Sequence, residues 1–312
     1  MTPDLIREAH RRIAPHLRHT PVLRLEHGAF GLDAAITLKL EYLQHAGSFK
    51  PRGALNRMLS ATLPAAGVIA ASGGNHGAAV AWAAARLGVK AEIFVPSVAS
   101  PAKIDRIRGF GATVHVGGAN YAEAFAASQL RAGASGALVV HAYDQTETIA
   151  GQGTAGLEFE RDAAGLDTVM VACGGGGLVA GIAAWFAGRV RVVAVEPEAC
   201  PTLSAALRAG KPVDVEVGGL AVDSLGARRI GELAYPICVR HAVRSVLVTD
   251  ASIRDAQLTL WRELRIAAEP GGAAALAAVL AGKVPTDGRT VVTLTGGNVD
   301  AAAFARVLTS AD

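Results

Sequence analysis

At 312 residues, with 51% hydrophobic and 18% charged residues, the chain can bury a large core in one big α/β domain or two mid-sized ones. Neither a small disulfide-dependent scaffold nor a disordered chain fits those figures. The formal charge of +3 is spread along the sequence, its densest basic group (Arg7, Arg11, Arg12, Arg18) reads as a solvated helix face, and aromatics are only 5%. No nucleic-acid or other polyanion partner is implied.

The chain opens with Thr2-Pro3-Asp4, a helix cap with proline in the first turn rather than a signal peptide, so a cytoplasmic location is expected. Cys173, Cys200 and Cys238 stand at unrelated spacings, which signals neither a disulfide framework nor a zinc site. The first chemistry-bearing segment runs from Lys39 through Glu41, Gln44, Gly47, Ser48 and Phe49 to Lys50, Arg52, Gly53 and Ala54. Most lysines are solvated surface residues. Lys50 differs in context: small residues and Phe49 precede it and a helical pattern follows. A lysine held against an aromatic in a partly dry cleft loses its charge more readily, and the neutral amine is the form that attacks an aldehyde.

From Gly67 onward, short apolar runs predict strands at 68–71, 91–95, 113–116 and 138–140. Helices are expected at 77–87, after the Ser100-Pro101 cap, and after Asn120. This is a compact parallel α/β unit. Between its first strand and helix lies Ser72-Gly73-Gly74-Asn75-His76-Gly77. The turn is either an ordinary helix cap or an anion seat, in which backbone N–H groups and the positive helix end receive a carboxylate and Asn75 bonds a ring substituent.

A second series has predicted strands at 168–172, 190–195, 245–248 and 291–294, and helices at 178–187, 252–264 and 272–280. The span 168–188 carries no charge, but its four consecutive glycines argue for strand, tight loop and helix rather than a membrane span. Those glycines, Gly174, Gly175, Gly176 and Gly177, precede Leu178 and permit the close backbone approach that a phosphate needs. A nicotinamide dehydrogenase is the alternative here, because Gly175, Gly177 and Ala180 match the dinucleotide pattern and Glu196 follows the next strand. The last turn, Thr295-Gly296-Gly297-Asn298, ends the final strand. It is either a plain strand-to-helix turn or a place where Thr295 offers a neutral hydroxyl to a heterocyclic nitrogen, which would leave that ring largely unprotonated and favour prompt loss of a β-leaving group. A non-catalytic amino-acid-binding module is a third reading of the same anion seats.

The order of lysine segment, Gly-Asn-His turn, tetraglycine loop and Thr-Gly-Gly-Asn resembles the fold-type II pyridoxal-phosphate enzymes, specifically the threonine/serine dehydratase and serine racemase family, over nearly the whole chain. The resemblance implies two open twisted α/β domains, tryptophan synthase β-like, with the cofactor pyridoxal 5′-phosphate in the cleft between them. Residues 1–66 and 144–312 would form the large domain, with 67–143 as a small domain inserted in it. By the same resemblance Lys50 is the Schiff-base lysine and catalytic base, Phe49 packs on the ring, and Asn75 bonds the ring hydroxyl. Gly174 to Leu178 hold the phosphate, Thr295 faces the pyridine nitrogen, and Ser72 with the Asn75 and His76 amides seats the substrate carboxylate. The implied reaction is β-elimination from a small hydroxy amino acid such as L-serine or L-threonine to a 2-oxo acid and ammonia. Hydroxyaspartate or aryl-serine dehydration and serine racemisation are the alternatives within the family, and a homodimer is the implied assembly.

Two departures from the family pattern narrow this. Gly73 stands where serine racemases carry a second serine, which argues against racemisation. Some members hold a divalent cation with a Glu after the strand that follows the tetraglycine loop, together with a downstream Asp. Glu196 matches the first, Thr202 occupies the Asp position, and Glu196 is therefore the only candidate metal ligand.

Overall fold

The computed structural model describes residues 1–286 and 288–309. Its strands are β1 (Val22–Leu25), β2 (Ile36–Lys39), β3 (Val68–Ala71), β4 (Ala91–Val95), β5 (Thr113–Val116), β6 (Leu138–Val139), β7 (Thr168–Ala172), β8 (Arg191–Pro197), β9 (Arg244–Val248) and β10 (Thr290–Thr293). Six of them form one sheet in the order β1-β2-β10-β7-β8-β9, parallel throughout except for β1 against β2. The other four form a parallel sheet in the order β5-β4-β3-β6. Every residue of β3, β7 and β10 is buried, as expected for parallel strands covered on both faces by helices.

The predicted strands are present with small shifts, and 168–188 folds as strand, loop and helix. Among the described residues no helix is long and apolar enough to cross a membrane. Strands β1 and β2 were not read from the sequence. Each is only four residues long, and Arg24 in β1 and the fully buried Lys39 in β2 interrupt the apolar run that marks a buried strand.

The burial of Lys39 is explained by an ion cluster. Its Nζ donates to Glu158 Oε2 and Asp162 Oδ2, both at 2.8 Å, and to the Thr20 carbonyl at 2.7 Å. Beside it Arg52, 1% exposed, uses its whole guanidinium: Nε and Nη2 donate to Glu41 at 2.8 Å each, while Nη1 and Nη2 donate to Glu158 at 2.7 and 2.9 Å. These bidentate contacts hold the Glu158 carboxyl well below the usual carboxylate range, against the upward push of burial.

Glu158 lies on the central helix Thr146–Asp162, which packs between the helix Pro51–Leu59 that follows Lys50 and the helix Gly177–Phe186 that follows the tetraglycine loop. Both contacts are backbone-close. A Cβ on Gly151 would lie 2.4 Å from the Arg52 carbonyl oxygen, and one on Gly181 would lie 2.5 Å from that of Ile149. Sequence-distant segments are thereby locked at fixed separation.

Removing one member of such a cluster leaves an uncompensated buried charge. Arg52→Met should therefore destabilise the protein by about 3–5 kcal/mol, read as a lower urea midpoint without a change in slope. A midpoint within experimental scatter of wild type would show that the cluster does not hold the fold together.

Candidate active site

The glycine turns after β3, β7 and β10 converge at the carboxyl ends of their strands, where open α/β sheets bind ligands. The Lys50 segment is fastened to the last of them by backbone bonds. Phe49 N donates to the Thr295 carbonyl at 3.1 Å, Gly297 N donates to that of Gly47 at 3.0 Å, and Ser48 forms a β-bridge with Gly296. Lys50, Phe49, Asn75, the tetraglycine loop and Thr295 thus line one pocket, joined by Tyr143 and Glu269.

Lys50 Nζ donates to the Ala142 carbonyl at 2.9 Å and lies 5.2 Å from the Phe49 ring centroid. Burial lowers its pKa to about 8, with Glu269 opposing the shift. His76 is pushed down to about 3 by burial and by Lys50, so its neutral imidazole donates from Nε2 to the Val140 carbonyl at 2.8 Å. Within the turn before it, Ser72 Oγ accepts from Gly74 N at 3.2 Å.

Asn75 Nδ2 donates to Glu269 Oε1 at 2.5 Å, and its Oδ1 accepts from Asn298 Nδ2 at 2.6 Å. This amide joins the small sheet's turn to the large sheet. Thr295, 4% exposed, donates its hydroxyl to the Gly271 carbonyl at 3.1 Å. The tetraglycine loop opens the helix Gly177–Phe186, with Gly176 at φ +85°, and a Cβ on Gly175 would strike the Tyr143 ring at 2.3 Å. A narrow cradle of N–H groups at a positive helix end suits a phosphate, and Lys50 with Phe49 and Asn75 suits a pyridine aldehyde. The residues present fit pyridoxal phosphate.

Beside the pocket lies a cleft of about 230 Å³ that shares Asn75, Ser224 and Glu269 with it and is bordered by Gly73 and Gly74. Lys103 and Asp223 close its rim with a 2.8 Å ion pair between the two sheets' elements. Gly73 presents no free direction here, because an added Cβ would meet Val95 Cγ1 at 2.9 Å and Ala99 Cβ at 3.0 Å, away from the cleft. A hydroxyl at this position therefore needs the loop to move.

Glu269 was missed by sequence reasoning. It is 7% exposed, and burial raises its pKa to about 7 against the Asn75 hydrogen bond. Its only sequence signal is the Glu269-Pro270-Gly271-Gly272 turn before the helix Pro270–Leu280. Glu196, the candidate metal ligand, has no exposure and lies under hydrogen bonds from Leu203 N, Ser204 N and Ser245 Oγ. So placed it cannot reach a ribose, which removes the basis of the dinucleotide reading. Among the described residues one group, His19, Glu158 and Asp162, has metal-like spacing, but Lys39 already bonds both carboxylates.

Fold and pocket together define a fold-type II pyridoxal-phosphate enzyme. The family described as pyridoxal-phosphate dependent enzyme matches residues 13–296. The chain is 39% identical over 303 residues to L-threonine ammonia-lyase of Geobacter sulfurreducens, covering 95% of this chain and 75% of that protein. It is 37% identical over 315 residues to phenylserine dehydratase of Ralstonia pickettii, covering 98% and 96%. The solved structure of maize serine racemase superimposes with a TM-score of 0.92 at 32% identity, covering 99% of this chain and 97% of that one. The chain spans about half the length of the biosynthetic L-threonine dehydratase of Escherichia coli, to which it is 41% identical over 263 residues. The chain belongs to the pyridoxal-phosphate dependent enzyme family, in its threonine/serine dehydratase branch, and is an ammonia-lyase.

The Lys50 environment gives a pH prediction. Reconstitution of cofactor-free protein requires the neutral amine, so its rate should climb about tenfold per pH unit and level off near pH 8. Glu269→Gln removes the carboxylate that supports the ammonium form, so its plateau should begin at lower pH. Stopped-flow absorbance measures both profiles; coincident midpoints would disprove the coupling.

Proposed function

We propose that the protein dehydrates and deaminates L-serine or L-threonine to the 2-oxo acid and ammonia, acting as a cytoplasmic homodimer with residues 67–143 as a small domain set into the large one. The reading rests above all on Lys50 Nζ, whose lowered pKa equips it to take a Cα proton, standing in one pocket with Asn75, Thr295 and the tetraglycine loop. Pyridoxal phosphate, when bound, supplies the electron sink that makes the Cα proton removable.

The chain's own residues do the rest. Ser72 Oγ and the Asn75 and His76 N–H groups seat the substrate carboxylate at the start of the helix Asn75–Leu87, which holds Cα over Lys50. Lys50 Nζ accepts the Cα proton as general base. With the cofactor bound, Asn75 would orient the ring hydroxyl, Thr295 would turn its neutral hydroxyl from the Gly271 carbonyl to the ring nitrogen, and Gly174 to Leu178 would receive the phosphate. The β-hydroxyl leaves as water with the proton that Lys50 has received, and this loss outruns reprotonation on the face opposite Lys50, where Gly73 offers no acid.

A second substrate reading has its own observation. Tyr143, in the Lys50 pocket, contacts His141 edge-on at 4.8 Å, His141 contacts Phe125 at 5.7 Å, and Phe125 stacks on Tyr121 at 6.0 Å. Tyr121 is 44% exposed. This file of rings suits an aryl β-substituent, in line with the activity named for the Ralstonia pickettii relative.

A panel of β-hydroxy amino acids assayed for 2-oxo acid release tests the activity, and borohydride should fix a pyridoxyl group on Lys50. Lys50→Ala should lower kcat by more than ~10²-fold. Label on another lysine would remove Lys50 from its role. If the aryl reading holds, Tyr121→Ala lowers kcat/KM for 3-phenylserine by about 2- to 12-fold and leaves that for threonine unchanged. Chiral chromatography of L-serine digests should show pyruvate with little D-serine; abundant D-serine would require a second acid that this account lacks.

A further inference from the structure

Glu196 and Thr202 lie where some family members hold a divalent cation, and the atoms around them do not fit one. Glu196 Oε1 accepts from Leu203 N at 2.7 Å, and Oε2 accepts from Ser204 N at 2.8 Å and Ser245 Oγ at 2.5 Å. The two amides belong to the first turn of the helix Thr202–Ala209, whose positive end therefore faces the carboxylate. A cation here would have to displace those donors and sit against that helix end. Its second side-chain ligand would be a neutral hydroxyl, whereas hard cations take six or more oxygens, carboxylates among them.

The same atoms fit a different task. Thr202 Oγ1 lies 3.1 Å from Glu196 Oε1 and 2.5 Å from the carbonyl oxygen of Gly174. A hydroxyl has one proton, and the shorter contact takes it. Thr202 thereby holds the carbonyl of the first glycine of the loop. In a planar trans peptide the carbonyl and the next N–H point in opposite directions, so fixing the Gly174 oxygen also aims the Gly175 N–H. The opposite side of Gly174 is confined as well, since a Cβ there would meet the Leu225 carbonyl oxygen at 2.9 Å.

We propose that Thr202, held by the Glu196-capped helix start, is a positioning residue for the phosphate loop, and that this protein-only brace makes cofactor retention independent of divalent cations. The proposal rests on reading Gly174 to Leu178 as the phosphate seat.

The test compares pyridoxal phosphate with pyridoxal, which lacks the phosphate, as ligands of the cofactor-free protein. Thr202→Val should raise the Kd for pyridoxal phosphate by about 2- to 12-fold and leave that for pyridoxal unchanged, and Thr202→Ser should restore tight binding. In parallel, the Tm of wild-type holoenzyme should be the same in EDTA as in millimolar Mg²⁺ or Ca²⁺. Should Thr202→Val not fold, Thr202→Ala reads the same loss, and the cation comparison needs no variant. Equal wild-type affinity for the two ligands would refute the phosphate seat itself. A wild type that prefers pyridoxal phosphate, with Thr202→Val matching it, would overturn the brace alone. So would a rise in wild-type Tm on adding either cation.

Discussion

The buried cluster of Arg52, Lys39, Glu41 and Glu158 is the constraint on which the site's geometry depends. Arg52 is in the first turn after Lys50, so whatever fixes its guanidinium fixes the direction from which the lysine enters the cleft. Glu41 ties it to the segment after β2, and Glu158 ties it to the central helix, which also backs the helix of the tetraglycine loop. One set of contacts therefore sets the distance between the Lys50 amine and the tetraglycine loop. Burying such charges is costly, and replacing the whole cluster with apolar residues could yield an equally stable core. What the ions add here is direction: two bidentate bonds define the orientation of a planar guanidinium in a way that dispersion contacts cannot.

Burial also governs the chemistry of the cleft, by pushing its titratable groups toward neutrality. Lys50 falls toward physiological pH, Glu269 rises to about 7, and His76 is held neutral. Lys50 and Glu269 are thereby brought close to their titration midpoints near neutral pH, and helix ends and backbone amides add fixed positive dipoles for recognition of an anion. Asn75 links these effects to the two-sheet architecture. Its side chain is bonded to Glu269 on one side and Asn298 on the other, so a shift of the small sheet changes the surroundings of the carboxylate nearest Lys50.

The local chemistry was largely legible in the sequence. Each glycine turn announced itself because strand, glycines and helix cap are contiguous, and Lys50 did so through Phe49 and the helical pattern after it. Strands β1 and β2 were hidden because both are short and Arg24 and Lys39 break their apolar runs, while the partners of Lys39, Glu158 and Asp162, lie far along the chain. Glu269 was hidden for a related reason. A glutamate before a proline reads as a helix start, and only burial by residues distant in sequence raises its pKa, against the Asn75 hydrogen bond.

Glu196 shows where the boundary lies. Its place at the end of β8 was readable, and so was the substitution of Thr202 for an acid, because both are matters of order along the chain. Whether that carboxylate met a metal, a ribose or a helix end was not readable, since the answer depends on which donors the fold brings within hydrogen-bonding reach of it. The sequence by itself determined the α/β class and the order of the Lys50 segment and the glycine turns along the chain, since these follow from periodicity and contiguous motifs. The tertiary structure alone decided the direction of each polar atom and the charge state of each buried one, because hydrogen bonding and desolvation are set by residues distant in sequence.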